Sequence, residues 1–186
     1  MASIITATTT SGLTQSADNS GVLQLASGTG NLVTVPAVTG TAMVSGNMPA
    51  FSAYNNAAQS LSNNTLTKIQ CNTEEFDTNN NFDSTTNYRF TPTVAGYYQV
   101  NAGTGIAGSV ATGYVQASIY KNGSVFKSGF SSYDSTTGTG GATVTSVIYM
   151  NGSTDYIEFY ARQNTGTSQP IVANTGNYFS AVLVRV

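Results

Sequence analysis

The sequence predicts an all-β fold, an antiparallel sandwich, and three observations carry that expectation. Charge is sparse: 6 Lys+Arg and 8 Asp+Glu make up 8% of 186 residues, where an average protein carries about a quarter. The neutral polar residues Thr, Ser, Asn and Gly fill the gap, and these favour strands and turns over helices. No stretch keeps a helical repeat of apolar residues for about ten positions. From Phe51 onward, about eight to ten short runs of alternating apolar and polar residues are separated by turn residues. A jelly roll and an immunoglobulin-like sandwich both fit this spacing. The second lacks its landmarks here, because Trp is absent and Cys71 is the single cysteine.

Along the chain, the first 50 residues stand apart. They contain no aromatic and one charge, Asp18, whereas all eleven tyrosines and eight phenylalanines lie at or after Phe51. The composition boundary falls near Met48-Pro49, giving an extended arm, residues 1–48, and a head, residues 49–186. A segment without aromatics has little to bury and forms no core that offsets chain entropy. The arm nevertheless holds two β-prone runs, 22–25 and 32–35, around the turn-like Ser27-Gly28-Thr29-Gly30. Val22, Leu23, Leu25, Leu32, Val33 and Val35 are its candidate attachment residues. They are expected to gain order from copies of themselves or from a surface.

The head opens with PAFSAY, residues 49–54. In AGYYQVNAG, Tyr98, Val100 and Ala102 share one strand face, while Tyr97, Gln99 and Asn101 share the other. VQASIY sets Val115, Ala117 and Ile119 against Gln116, Ser118 and Tyr120, and ends in the dipeptide Asn122-Gly123. VTSVIYM ends in a second such dipeptide, Asn151-Gly152. Asn-Gly between alternating runs signals a hairpin, because both turn residues take positive φ. DYIEFYAR points Ile157, Phe159 and Ala161 inward, and Tyr156, Glu158, Tyr160 and Arg162 outward. NYFSAVLVRV closes the head with Phe179, Ala181 and Leu183 on one face.

Composition excludes several function classes. A net charge of −2 with no basic cluster argues against nucleic acid and against an anionic membrane surface. No apolar run approaches the ~18–20 residues of a membrane span. The N-terminus lacks the basic start and apolar run of a secretory signal, so assembly in a cytosol is expected. With no histidine, Ser-His-Asp and Cys-His catalysis are ruled out, and Cys71 reads as a buried thiol. Glu74, Glu75 and Asp77 could be imagined as a glycosidase pair, and Asp77, Asn79, Asn81 and Asp83 as a calcium loop. The loop lacks the glycine and distal Glu of an EF-hand, and TEEFDTNNNFDSTTN reads as a solvated connection between strands. Asn63, Asn122 and Asn151 begin glycosylation-type triplets, two of them read as hairpin turns. No catalytic residue, metal or cofactor is expected.

The order of landmarks is itself informative: PAFSAY, two Phe-Asp pairs at 76–77 and 82–83, YRFTPTVAGYYQV at 88–100, SIYKNG at 118–123, MNGSTDYIEFYA at 150–161, and NYFSAVLV at 177–184. The head resembles the globular head of the complement-one-q family, which is similar in fold to tumour necrosis factor. Departures are Ala181 in place of a glycine in the closing Phe-Ser-Gly, and Gly152-Ser153-Thr154-Asp155 in place of Gly-Asp. No collagen repeat precedes the head. The resemblance implies a ten-stranded antiparallel jelly roll that assembles as a homotrimer with one sheet face around a threefold axis. Tyr97, Tyr120, Tyr156 and Tyr160, all on polar-phase positions, are the candidate interface residues, since an apolar ring with a wet tip suits a partly polar seam.

The arm, MASIITATTTSGLTQSADNSGVLQLASGTGNLVTVP, resembles leader segments of bacteriophage tail-fibre and other virion proteins. That likeness implies a virion-surface protein assembled in the host cytoplasm, its arm docked on capsid or other virion proteins. The expected function is a trimeric capsid decoration or cement protein, or a short spike, because no repetitive shaft separates arm from head. The alternative is a tail-fibre or receptor-binding tip that reads a host surface glycan or protein through loops 107–113, 131–142 and 165–174.

Overall fold

Two apolar–polar alternations of period 2 must share one interior, and this decides how the head folds. The computed structural model describes residues 23–26, 32–35, 48–107, 112–134, 140–172 and 174–186, and these contain strands and turns but no helix. The chain divides into two units, Met1–Ala42 and Met43–Val186. In the first, β1 (Leu23–Ala26) and β2 (Leu32–Val35) form an antiparallel ribbon, with Leu23 opposite Val35 and Leu25 opposite Val33. Positions 23, 25, 33 and 35 therefore share one face. Val22 lies outside the described residues.

The second unit runs β3 (Ala50–Asn55), β4 (Ser60–Leu61), β5 (Thr67–Lys68), β6 (Thr73–Asp77), β7 (Phe82–Asp83), β8 (Arg89–Phe90), β9 (Gly96–Ile106), β10 (Thr112–Lys121), β11 (Ser124–Asp134), β12 (Gly140–Met150), β13 (Ile157–Gln163), β14 (Gln169–Pro170) and β15 (Asn174–Arg185). The first sheet has five strands in the order β12-β9-β15-β3-β6. The second has six, β11-β10-β13-β8-β7 with β5 beside β13, while β14 pairs with β4 alone. Every pairing between these strands is antiparallel. The sandwich is a jelly roll, and its two sheets exceed the expected ten strands by the two-residue β5.

The inward phases read from sequence are the buried ones: Tyr98, Val100 and Ala102; Val115, Ala117 and Ile119; Ile157, Phe159 and Ala161; Phe179, Ala181 and Leu183. Between the sheets, Phe51 stacks on Phe82 at 4.5 Å and on Phe90 at 4.6 Å, and meets the edge of Phe179 at 5.1 Å. Each such ring contributes roughly 1.5–3 kcal/mol by leaving water. Tyr98 is fully buried, and its hydroxyl donates to the Val94 carbonyl at 2.7 Å, so its polar tip is satisfied inside the core. Cys71 is buried too, and desolvation pushes its thiol up to about 12, which leaves it inert.

The first Asn-Gly dipeptide makes the expected two-residue turn: Asn122 has φ 51°, Gly123 has φ 79°, and Lys121 faces Ser124 across the hairpin. The second does not make a hairpin. β12 pairs with β9 and β13 with β10, so residues 151–156 cross from one sheet to the other. Asn151 organises this crossing, because its Oδ1 accepts from the backbone N–H of Ser153, Thr154 and Asp155. TEEFD also differs from expectation: it is strand β6, paired with β3 at the edge of the first sheet. An edge strand tolerates charge, which is why composition disguised it as a connection. Of the loop 131–142, residues 131–134 extend β11 and residues 140–142 begin β12, while 135–139 lie outside the described residues.

At one flank of the sandwich, β11 comes unusually close to β12. A Cβ at Gly129 would sit 1.9 Å from the Thr143 carbonyl oxygen, so only glycine allows the two sheets to meet there.

Candidate interaction surface

Each sheet turns its second face outward, and the registers allow both faces to be read rung by rung. In the first sheet, β9 lies between β12 and β15. One outward rung is Tyr149–Tyr97–Arg185 and the next is Val147–Gln99–Val182. Then follows a polar rung, Thr145–Asn101–Ser180–Ser52, whose Thr145 hydroxyl donates to Asn101 Oδ1 at 2.7 Å. The amide of Gln99 donates to the same hydroxyl at 2.6 Å.

In the two rungs before it, the tyrosines and valines are exposed around Gln99 and Arg185. Tyr97 and Tyr149 are each 49% exposed, and their rings meet edge-on at 5.4 Å. Val147, Val182, Val184 and Val186 are exposed beside them. Tyr97, Val147, Val184, Arg185 and Val186 line an open depression of about 600 Å³. Arg185 is at its rim, and Lys121 of the second sheet donates to the Tyr149 carbonyl at 2.7 Å. An apolar patch on a strand face that is otherwise polar but for Phe76 marks a surface built to be covered.

On the second sheet the outward rungs are Phe130–Gln116–Arg162, then Ser128–Ser118–Tyr160–Lys68, then Val125–Tyr120–Glu158–Arg89–Asp83. Here rings and cations cover one another. Tyr120 and Tyr160 stack at 4.0 Å, and Lys68 lies 5.8 Å over Tyr160 while its Nζ meets Glu158 at 2.5 Å. Arg89 lies 4.6 Å over Tyr156, and Arg162 lies 5.4 Å over Tyr114. Beneath them the Gln116 amide donates to Ser118 and Ser128, and all of Ser118 is buried. Burial raises the hydroxyl pKa of Tyr120 against the opposing charge of Arg162, and raises that of Tyr160 with help from the Glu158 carboxylate. Exposed apolar side chains on this side belong to the edge strand: Val125, Phe126 and Phe130 on β11.

The four tyrosines chosen from sequence thus lie on two surfaces. Tyr97 is on the bare face of the first sheet, and Tyr120, Tyr156 and Tyr160 are on the self-covered side of the second. Tyr149, Val147, Val182 and Val184, exposed beside Tyr97, were not among the residues chosen from sequence. Tyr149 could have been found, since it alternates with Ile148 and Met150 in VIYM. The valines could not, because a lone Val reads as core whichever way it points.

The carboxylates considered for catalysis do not converge. Glu75 accepts from Ser52 at 2.6 Å and Glu74 from Ser84 at 2.5 Å, while Asp77 caps the backbone of Asn79 and Phe82. Asp83 accepts from the backbone N–H groups of Thr85, Thr86 and Asn87, which holds its carboxyl well below the usual range. Among the described residues, no group of three metal-ligating side chains is brought together.

No family model and no curated protein matches the sequence. Solved structures do match in fold. The Eiger TNF of S. frugiperda aligns with a TM-score of 0.56 at 10% identity, covering 74% of this chain and 93% of that one. Murine APRIL aligns at 0.55 and 11% identity, covering 74% and 99%. The PRD1 vertex protein P5 aligns at 0.53 and 18% identity, covering 75% and 98%. The fold is the TNF-like jelly roll.

Proposed function

We propose that this chain is a non-enzymatic structural protein of a bacteriophage virion, a homotrimeric capsid decoration protein or short spike. The observation that carries this reading is the bare face of the first sheet. Tyr97, Val147, Tyr149, Val182 and Val184 leave an apolar surface to water across β12, β9 and β15 of the first sheet, while on the opposite side the exposed apolar side chains, Val125, Phe126 and Phe130, are confined to the edge strand β11. Covering it with copies of itself recovers burial at ~25 cal/mol per Å², and a threefold arrangement is what the sequence resemblance implies. The likeness to a protein named as a vertex protein supports a place on a particle's shell. In this reading, the seam is formed by Tyr97 with Tyr149 and the three valines, and Tyr120, Tyr156 and Tyr160 lie outside it. The arm, residues 1–48, holds the head on the virion through its β1–β2 ribbon.

Light scattering tests the assembly: three chains per particle are expected, and a stable monomer overturns the seam. Cryo-electron microscopy of the parent virion tests the placement. Density on the capsid lattice is expected, and density confined to the tail would favour the receptor-binding tip instead. Deleting residues 1–45 should leave a folded head of unchanged assembly that no longer joins the particle. Retained incorporation would overturn the anchor.

A further inference from the structure

The hairpin turn at Lys121–Ser124 carries a chemistry that its fold role does not use. In an Asn-Gly dipeptide the glycine nitrogen can attack the asparagine side-chain carbonyl. A bond forms from Gly123 N to Asn122 Cγ, the side-chain amide leaves as ammonia with the glycine proton, and a five-membered succinimide results. Water then reopens the ring to aspartate or isoaspartate at position 122. No oxidant, metal or reactant other than water is needed. Glycine makes such a site reactive because it has no side chain to obstruct the attack, and the turn is exposed at Gly123.

The structure holds this asparagine at both ends of its amide. Asn122 Nδ2 donates to Asp155 Oδ1 at 2.7 Å, its Oδ1 accepts from the Tyr156 N–H at 2.9 Å, and its own N–H donates to the Tyr156 carbonyl at 3.0 Å. Asp155 is 9% exposed and is fixed in turn: its other oxygen accepts from the Asn151 N–H at 3.1 Å and pairs with Lys121 Nζ at 2.8 Å. We propose that Asn122 is a guarded deamidation site, with the Asp155–Tyr156 clasp keeping its amide from the Gly123 nitrogen.

The clasp also decides what the reaction would do. A carboxylate at position 122 would face the Asp155 carboxylate where an amide donor now sits, so two like charges would replace one hydrogen bond. Isoaspartate would add a backbone atom to a two-residue turn whose φ angles of 51° and 79° leave no slack. Either product parts the β10–β11 turn from the crossing loop 151–156. The modification is therefore one-way: each local opening of the clasp frees the Asn122 amide, and a completed reaction keeps the clasp open. The Asn151 side chain is held differently, by three backbone N–H groups on its Oδ1, with Asp155 taking only its backbone N–H, and it serves as the internal comparison.

The test is peptide mapping by mass spectrometry, with isoaspartate detection, on full-length protein aged at neutral pH beside a synthetic peptide of residues 118–127. Asn122 in the folded chain should deamidate at least about tenfold more slowly than in the peptide, as for any reaction that waits on local opening. Asp155→Ala, shown folded by circular dichroism at the ageing temperature, should bring Asn122 to within a few-fold of the peptide and change Asn151 less. If that variant does not fold, Asp155→Asn, which keeps an acceptor and loses the Lys121 pair, should give an intermediate rate. Deamidation of wild-type Asn122 at the peptide rate overturns the proposal. So does a folded Asp155 variant whose Asn122 is no faster than wild type.

Discussion

The two outward faces of this sandwich are made from much the same materials and end in opposite states. Both carry tyrosines at polar-phase positions of long strands. On the second sheet each ring has a neighbour: Tyr120 stacks on Tyr160, and Lys68, Arg89 and Arg162 lie over Tyr160, Tyr156 and Tyr114. On the first sheet the rings of Tyr97 and Tyr149 meet edge-on beside Arg185 and a row of valines. The difference lies in where a scarce resource went. The chain has six cations: Lys68, Arg89, Lys127 and Arg162 serve the second sheet, Lys121 bridges Asp155 of the crossing loop and the Tyr149 carbonyl, and Arg185 stands at the rim of the first. A tyrosine on a wet strand face is thus no indicator of a partner. The company it keeps is what tells.

Four experiments break or sharpen that contrast, from the largest effect on stability to the smallest. Tyr98→Ala removes the core ring beneath both faces and should cost about 3–5 kcal/mol. Urea denaturation should find the head largely unfolded, erasing the distinction altogether. Lys68→Ala acts on the covered face alone. It leaves the Glu158 carboxylate, whose side chain is 7% exposed, without its cation, and a cost of about 1–3 kcal/mol is expected after discounting for the partly exposed lysine. A midpoint unchanged from wild type would show that the ladder contributes nothing.

Acid should loosen the same side without touching the bare face. The folded-state pKa values of Asp83 and Asp155 lie below their ordinary value, Asp83 through backbone N–H bonds led by Thr86, and Asp155 through Lys121 and Asn122. A depressed carboxyl stabilises the fold above its unfolded pKa and loses that contribution as pH falls through the folded one. Melting temperature should therefore fall as pH drops below about 4, and a flat profile would refute the assignment. The smallest change in the fold comes from Tyr97→Ser with Val184→Ser on the bare face. Stability should move within about 0.5 kcal/mol per site, while the mass by light scattering drops to a single chain. An unchanged assembly would mean that the patch faces something else.

Much of the architecture was legible from strand phase. In AGYYQV the alternation separates Tyr98, fully buried, from Tyr97, half exposed, because a pleated strand leaves no third choice. The turn at Asn122-Gly123 was readable for the same local reason. What failed was non-local. Asn151-Gly152 looks identical in sequence but ends a strand whose partner, β9, lies some fifty residues earlier. Strand β6 hid behind its charges, since only its place at a sheet edge makes Glu74 and Glu75 tolerable. The bare patch was half visible: Tyr97 has the right phase, but its neighbours Val147 and Val182 arrive from two other strands through registers that no local pattern states.

The arrangement of the cations has one more consequence, for the medium in which the protein works. Five of the six sit 2.5–5.8 Å from their carboxylate or ring. That is inside the ~8 Å over which salt at physiological strength screens charge. Dissolved ions act mainly on charges farther apart than this, and the bare face offers them a single arginine. Sulfate should therefore leave the covered side nearly as it is and strengthen the apolar association on the other, as excluded salts do for buried surface generally.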